Sequence, residues 1–223
     1  MNFVSALVAA MLASAVICLS GSACPCKDVK ELAAKPINTS ENVLDGLRWT
    51  HTAEYTKEFN EAIKQARAAC LKHIGKPYVA IVADVDETVL DNRPHMEQNP
   101  VIGWKGFEPW VQQAKAPALK PTTELLAWAR KNGYAVFLVT GRYESTRKAT
   151  IENLVSSGIA YDGLFMRQDG NHVPAEEFKS AYRKAIEDMG FRIVLNIGDQ
   201  VSDLLGGYSE ECIKLPNKMY FIN

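Results

Sequence analysis

The stretch YVAIVADVDETVLDN, residues 78–92, opens as a strand and then departs from strand composition. Residues 78–83 are almost wholly apolar, the pattern of a strand buried on both faces. Four acids, Asp84, Asp86, Glu87 and Asp91, then arrive within a few positions. Carboxylates packed that densely at the end of a buried strand cost free energy unless positive charge offsets them.

The flanking sequence alternates between two periodicities. Before the strand, Tyr55, Phe59, Ile63, Ala66 and Cys70 recur at helical spacing across 51–73, and Gly75-Lys76-Pro77 ends that helix. After it, 92–121 reads as irregular and rich in Pro and Trp. A helix over 122–132 follows, then a strand over 134–139 that runs into Thr140-Gly141-Arg142, then a helix to about Ser157. A short strand at 164–166, a helix over 176–189, a strand over 191–197 closed by Gly198-Asp199, and a short strand at 213–215 complete the chain. Apolar strands alternating with amphipathic helices predict an α/β fold, a parallel sheet with helices on both faces. The stretches between these elements leave room for a small cap and not for a large lid.

The chain has 223 residues, 47% of them hydrophobic, enough for one sizeable domain. Net charge is -1 and basic residues are interleaved with acidic ones, which argues against a surface for a nucleic-acid polymer. Residues 1–23 stand apart: an uncharged apolar run over 3–19 closed by Ser20-Gly21-Ser22-Ala23 reads as a signal peptide. The expected organisation is therefore a signal peptide at 1–23, a tether at 24–48 and a domain at 49–223, in a protein that is secreted or periplasmic. Lipidation of Cys24, preceded by Ser22-Ala23, is the alternative that would attach the protein to a membrane. Cys18 leaves with the signal, Cys24 and Cys26 are too close to bridge each other, and Cys70–Cys212 is the expected disulfide.

Function in an open parallel sheet gathers beyond the carboxyl ends of its strands. Three such ends here carry Asp84-Val85-Asp86, Thr140-Gly141-Arg142 and Gly198-Asp199. Asp84 and Asp86 share a face if the chain stays extended, and Asp203 lies one turn beyond Asp199 if a helix starts there. The segments therefore converge on one acidic pocket that needs a cation. Donors that are all oxygen, without His or Cys, suit a hard ion, and Mg²⁺ fits best. His51, His73, His95 and His172 have no ligand spacing.

Asp84-Val85-Asp86-Glu87-Thr88 resembles the DxDxT signature of the haloacid dehalogenase (HAD) superfamily. Thr140-Gly141-Arg142 is similar to its second motif, Lys179 to its third, and Gly198-Asp199-Gln200-Val201-Ser202-Asp203 to its fourth. The phrases AIVADVDETVLDN and NIGDQVSDLLG resemble more narrowly the secreted acid phosphatases of that superfamily: bacterial class C enzymes and plant acid phosphatases with their storage-protein relatives. The likeness covers roughly Trp49 to the C-terminus.

The resemblance implies a HAD-like Rossmannoid sheet and hydrolysis of small phosphomonoesters, nucleoside 5′-monophosphates among them, through a phosphorylated aspartate. It implies Asp84 as nucleophile and Asp86 as general acid and base. Mg²⁺ would be held by Asp84, the backbone carbonyl of Asp86 and Asp199. Thr140, Gly141 and Lys179 would hold phosphoryl oxygens, and Asp203 would orient the metal shell or Lys179. Arg142 is open to two roles, substrate contact or structural salt bridge. Glu87, Asp91 and Asn92 are expected to cap the turn or tune the pocket, with no part in catalysis. His95, Trp104, Phe107 and Trp110 either pack the cap or stack on a substrate ring. A non-catalytic storage protein on the same scaffold and a phosphotransferase remain as alternatives; an intact Asp84 disfavours the first.

Overall fold

The computed structural model describes residues 38–101 and 103–222. The segment assigned to the signal peptide lies outside them. Five parallel strands form one sheet in the order β3-β2-β1-β4-β5, with β1 at Val79–Ala83, β2 at Ala135–Tyr143, β3 at Gly163–Arg167, β4 at Arg192–Gly198 and β5 at Cys212–Lys214. All five residues of β1 are buried. Val79, Ile81 and Ala83 pack on one side with α2 (Ala53–Leu71) and α5 (Lys120–Lys131), whereas Ala80 and Val82 pack on the other with α7 (Ala175–Asp188). That two-residue alternation is why the central strand must be apolar throughout.

The expected helices stand within two or three residues of their predicted bounds. In α2 the Thr52 hydroxyl accepts from the Tyr55 amide at 3.3 Å, which starts the helix, and Phe59, Ala66 and Cys70 form its buried stripe. α6 spans Arg147–Ser156 after a 3₁₀ turn at Glu144–Thr146.

Three expectations need correction. Residues 40–48, assigned to the tether, are helical: α1 spans Ser40–Thr50, capped by the Thr39 hydroxyl on the Asn42 amide. Its Val43 and Leu47 pack on Met96, Met219 and Tyr220, partners too distant in sequence to be read locally. Residues 92–121 are not irregular throughout, since α3 (Arg93–Met96) and α4 (Trp104–Val111) lie there; both are too short for periodicity to register. Cys212 is disulfide-bonded but not to Cys70, which is free and buried on the inner face of α2.

α1 also holds the carboxyl-terminal tail. The Asn38 side chain donates to the Phe221 carbonyl at 2.8 Å and accepts from the Phe221 amide at 2.9 Å. Gly46 lies so close that an added Cβ would meet the Lys218 carbonyl oxygen and the Met219 Cα at 2.5 Å. Backbone cannot swing aside as a flexible side chain does, so Gly46→Ala should destabilise the fold by about 1–3 kcal/mol. A urea unfolding curve with an unchanged midpoint would contradict this packing.

Candidate active site

Beyond Ala83 the chain turns sharply. The Val85 carbonyl accepts from the amides of Val89 and Leu90, both at 2.9 Å, and Glu87 sits at φ 54°, a strained value for a residue with a side chain. The Asp84 amide is still tied to β4 through the Ile197 carbonyl at 3.0 Å. Val85 enters the core, and Asp84 and Asp86 both reach a cavity of about 370 Å³ over the strand ends.

Each of the four acids has its own partner. Asp84 Oδ1 accepts from Lys179 Nζ of α7 at 2.6 Å. Asp86 Oδ1 receives Arg142 Nη2 at 2.7 Å, Arg142 Nε at 3.0 Å and Asn92 Nδ2 at 2.9 Å. Glu87 accepts from the Tyr220 hydroxyl and from the Asn92 amide, while Asp91 pairs with Arg93 at 2.6 Å. The charge density of the opening stretch is thus met first by organic cations and a phenol.

Lys179 Nζ also reaches Asp203 Oδ1 at 2.5 Å, and Asp203 Oδ2 accepts the Gln200 amide at 2.8 Å, capping the short helix α8 (Val201–Leu204). Asp199, at the end of β4, accepts from Gln200 Nε2 and Asn217 Nδ2, each at 2.6 Å. Burial holds the Asp84 carboxyl well above its usual range, with Lys179 opposing. Asp199 is pushed up to about 7, by burial first and then by Asp203. Burial alone would lower the Lys179 ammonium, but Asp203 and Asp84 outweigh it and raise it above its ordinary value. The three buried carboxylates of Asp84, Asp199 and Asp203 offer oxygens all within 4.8 Å of one another and could hold a metal ion. Among the described residues Asp84 Oδ2 takes no hydrogen bond, which leaves a donor for one. Asp203 therefore joins this cluster directly, while the Asp86 side chain turns away to Arg142.

The second motif divides. Register slips between Thr140 and Tyr143 where β2 pairs with β3, and this bulge turns Gly141 and Arg142 to the cavity. Thr140 lies behind that wall, fully buried, its Oγ1 accepting from the Arg142 amide at 3.1 Å. Arg142 pairs with Asp86 and also lines the cavity, so both roles stay open to it.

The cap supplies an aromatic wall. His95 stacks on Trp110 at 5.7 Å with 20° between planes, and Phe107 lies 5.8 Å away. Burial lowers the His95 pKa, consistent with a neutral ring packed among aromatics. Trp110 Nε1 donates to Asn92 Oδ1 at 2.8 Å, so α4 buttresses the residue that holds Asp86. Sequence reasoning overlooked the cavity residues Tyr143, Arg167, Gln200 and Tyr220, together with Asn217 behind Asp199. Gln200 stood inside a recognised motif and was accessible to it; Asn217 and Tyr220 come from a tail with no periodic signal.

The family model described as HAD superfamily, subfamily IIIB (acid phosphatase) matches residues 4–223. The chain belongs to this family. Within the acid phosphatase family it is 42% identical over 148 residues to acid phosphatase 1 of Solanum lycopersicum, covering 63% of this chain and 58% of that protein. It is 30% identical over 184 residues to the stem 28 kDa glycoprotein of Glycine max, covering 78% of this chain and 72% of the other. The fold is similar to that of the class C acid phosphatase from Bacillus anthracis, with a TM-score of 0.68 at 23% identity over 83% of this chain and 87% of that one. The expected α/β sheet flanked by helices is the fold this family shares.

Proposed function

We propose that the protein is an exported, Mg²⁺-dependent acid phosphatase that hydrolyses phosphomonoesters through a phosphorylated Asp84. The observation that carries this reading is the placement of Asp84 and Asp86 in one cavity, each held by a different cation. A carboxylate oxygen of Asp84 attacks phosphorus as the ester P–O bond breaks, and protonated Asp86 gives its proton to the departing alkoxide. Water then attacks the phosphorus of the acyl phosphate, Asp86 as carboxylate takes its proton, and Asp84 is regenerated with release of phosphate. Arg142, Asn92 and, through Asn92, Trp110 keep Asp86 in place for both transfers. Lys179 and the Gly141 amide stabilise the phosphoryl oxygens in the transition state, with Thr140 supporting the Gly141-Arg142 turn from behind.

The oxygen-only cluster of Asp84, Asp199 and Asp203 fits a hard divalent ion, with the Asp86 carbonyl as a further donor. When bound, Mg²⁺ would supply charge neutralisation between carboxylates and phosphate. Excess chelator should therefore lower phosphatase activity by roughly a hundredfold or more, with recovery on adding Mg²⁺. Full turnover of a phosphomonoester panel in chelator would exclude the site as drawn.

The aromatic wall of His95, Trp104 and Phe107 supports substrates with a ring in the leaving group, nucleoside 5′-monophosphates included. No helix of the described residues is long and apolar enough to cross a membrane. Export rests on the apolar leader at 1–23 and is tested by mass spectrometry of the mature amino terminus, which also reads any lipid on Cys24.

A further inference from the structure

One cation in the cavity has no part in the mechanism above. Arg167 closes β3, and its Nη1 donates to the carbonyls of Asn171 at 3.1 Å and Val173 at 2.9 Å. Its Cζ lies 4.2 Å over the Phe178 ring and 6.0 Å from the Tyr143 ring. Among the described residues it forms no ion pair, and its Nε and Nη2 make no hydrogen bond. Its neighbours differ: Arg142 pairs with Asp86, Arg93 with Asp91 and Arg147 with Glu144. Burial pulls the Arg167 pKa below the usual guanidinium range, and the opposing influence is the Tyr143 phenol rather than a carboxylate.

A half-buried cation without a counter-charge is costly unless something anionic visits it. Two strand spacings separate β3 from β1, roughly 10 Å. Arg167 directly follows Met166, the partner of Thr140, and the bulge in β2 brings Tyr143 opposite it, so it stands one residue beyond the level of Thr140. Tyr143 and Trp104, ring centroids 5.0 Å apart, line the same cavity.

Building on the phosphatase reading, we propose that Arg167 binds a second anionic group, carboxylate or phosphate, on the far side of the leaving group. The enzyme then favours phosphomonoesters of acidic alcohols and phenols over those of neutral ones. The test compares kcat/KM for phenyl phosphate, 4-carboxyphenyl phosphate and 1,4-phenylene bisphosphate in wild type, Arg167→Met and Arg167→Lys. The ratio of acidic to neutral substrate should fall roughly tenfold in Arg167→Met, the size of one charge-assisted hydrogen bond, and largely persist in Arg167→Lys. Comparing ratios between proteins cancels the intrinsic reactivity of the esters. The two acidic substrates tell which anion is preferred. An unchanged ratio overturns the proposal, and so does an equal loss on all three substrates, which would place Arg167 on the transferred phosphoryl group or in the fold. If wild type hydrolyses none of them, the phosphatase reading has failed separately. Calorimetric affinities for benzylphosphonate and 4-carboxybenzylphosphonate then give the same ratio without turnover. Should Arg167→Met fail to fold, Arg167→Gln and the wild-type phosphonate ratio decide; equal wild-type affinities overturn the proposal.

Discussion

Asp84→Asn is expected to remove turnover while leaving the fold intact. The amide keeps the shape of the carboxylate but cannot attack phosphorus, so kcat should fall by roughly four orders of magnitude or more. Stability should move the other way. Burial raises the Asp84 pKa above its unfolded value, so at neutral pH the ionised carboxylate disfavours the folded state. Asp203 and Asp199 add to that repulsion. Asn removes the repulsion, and the metal-free variant should melt no earlier than wild type. Hydrolysis near the wild-type rate would refute Asp84 as nucleophile; a collapse in melting temperature would mean that its pairing with Lys179 is what the fold needs.

Lys179→Met should fail on both counts. The ammonium is 6% exposed and bridges Asp84 and Asp203, so an uncharged chain of similar length strands two buried carboxylates. Removing one partner of a buried pair costs about 3–5 kcal/mol. The metal-free protein should lose stability of that order in urea, and added Mg²⁺ should restore part of it by taking over the same oxygens. Turnover in saturating Mg²⁺ should still fall by roughly 10²–10³-fold, because one fixed charge on the phosphoryl oxygens is missing. A wild-type unfolding midpoint in chelator would show that Asp84 and Asp203 do not depend on this cation. The contrast between the two variants, one destabilised and the other not, separates electrostatic support from chemistry.

The sheet was legible because its central strands are unbroken apolar runs that no other element accommodates at that length. The site was legible because its groups follow those runs at once: Asp84 after β1, Gly141 after the apolar part of β2, Asp199 after β4. Legibility ended where contacts span long sequence separations. α1 reads as a tether until Met219 and Tyr220 are placed beneath it, and the Tyr220 hydroxyl that donates to Glu87 comes from far along the chain. Thr140 shows the converse limit: the motif match does not reveal the backbone bulge that places Gly141 at the cavity wall and Thr140 behind it. For Cys212, spacing carried no information on pairing, and the reduced thiol of Cys70 rules out the guess.

The knot between Asn38 and Phe221 has a practical side. Ile222 borders the cavity, so a purification tag or display scaffold joined directly after it would emerge at the lip through which esters enter. A reporter inserted at the exposed turn around 157–158, which precedes β3 and so lies at the amino ends of the strands, would sit on the far rim and leave that doorway clear.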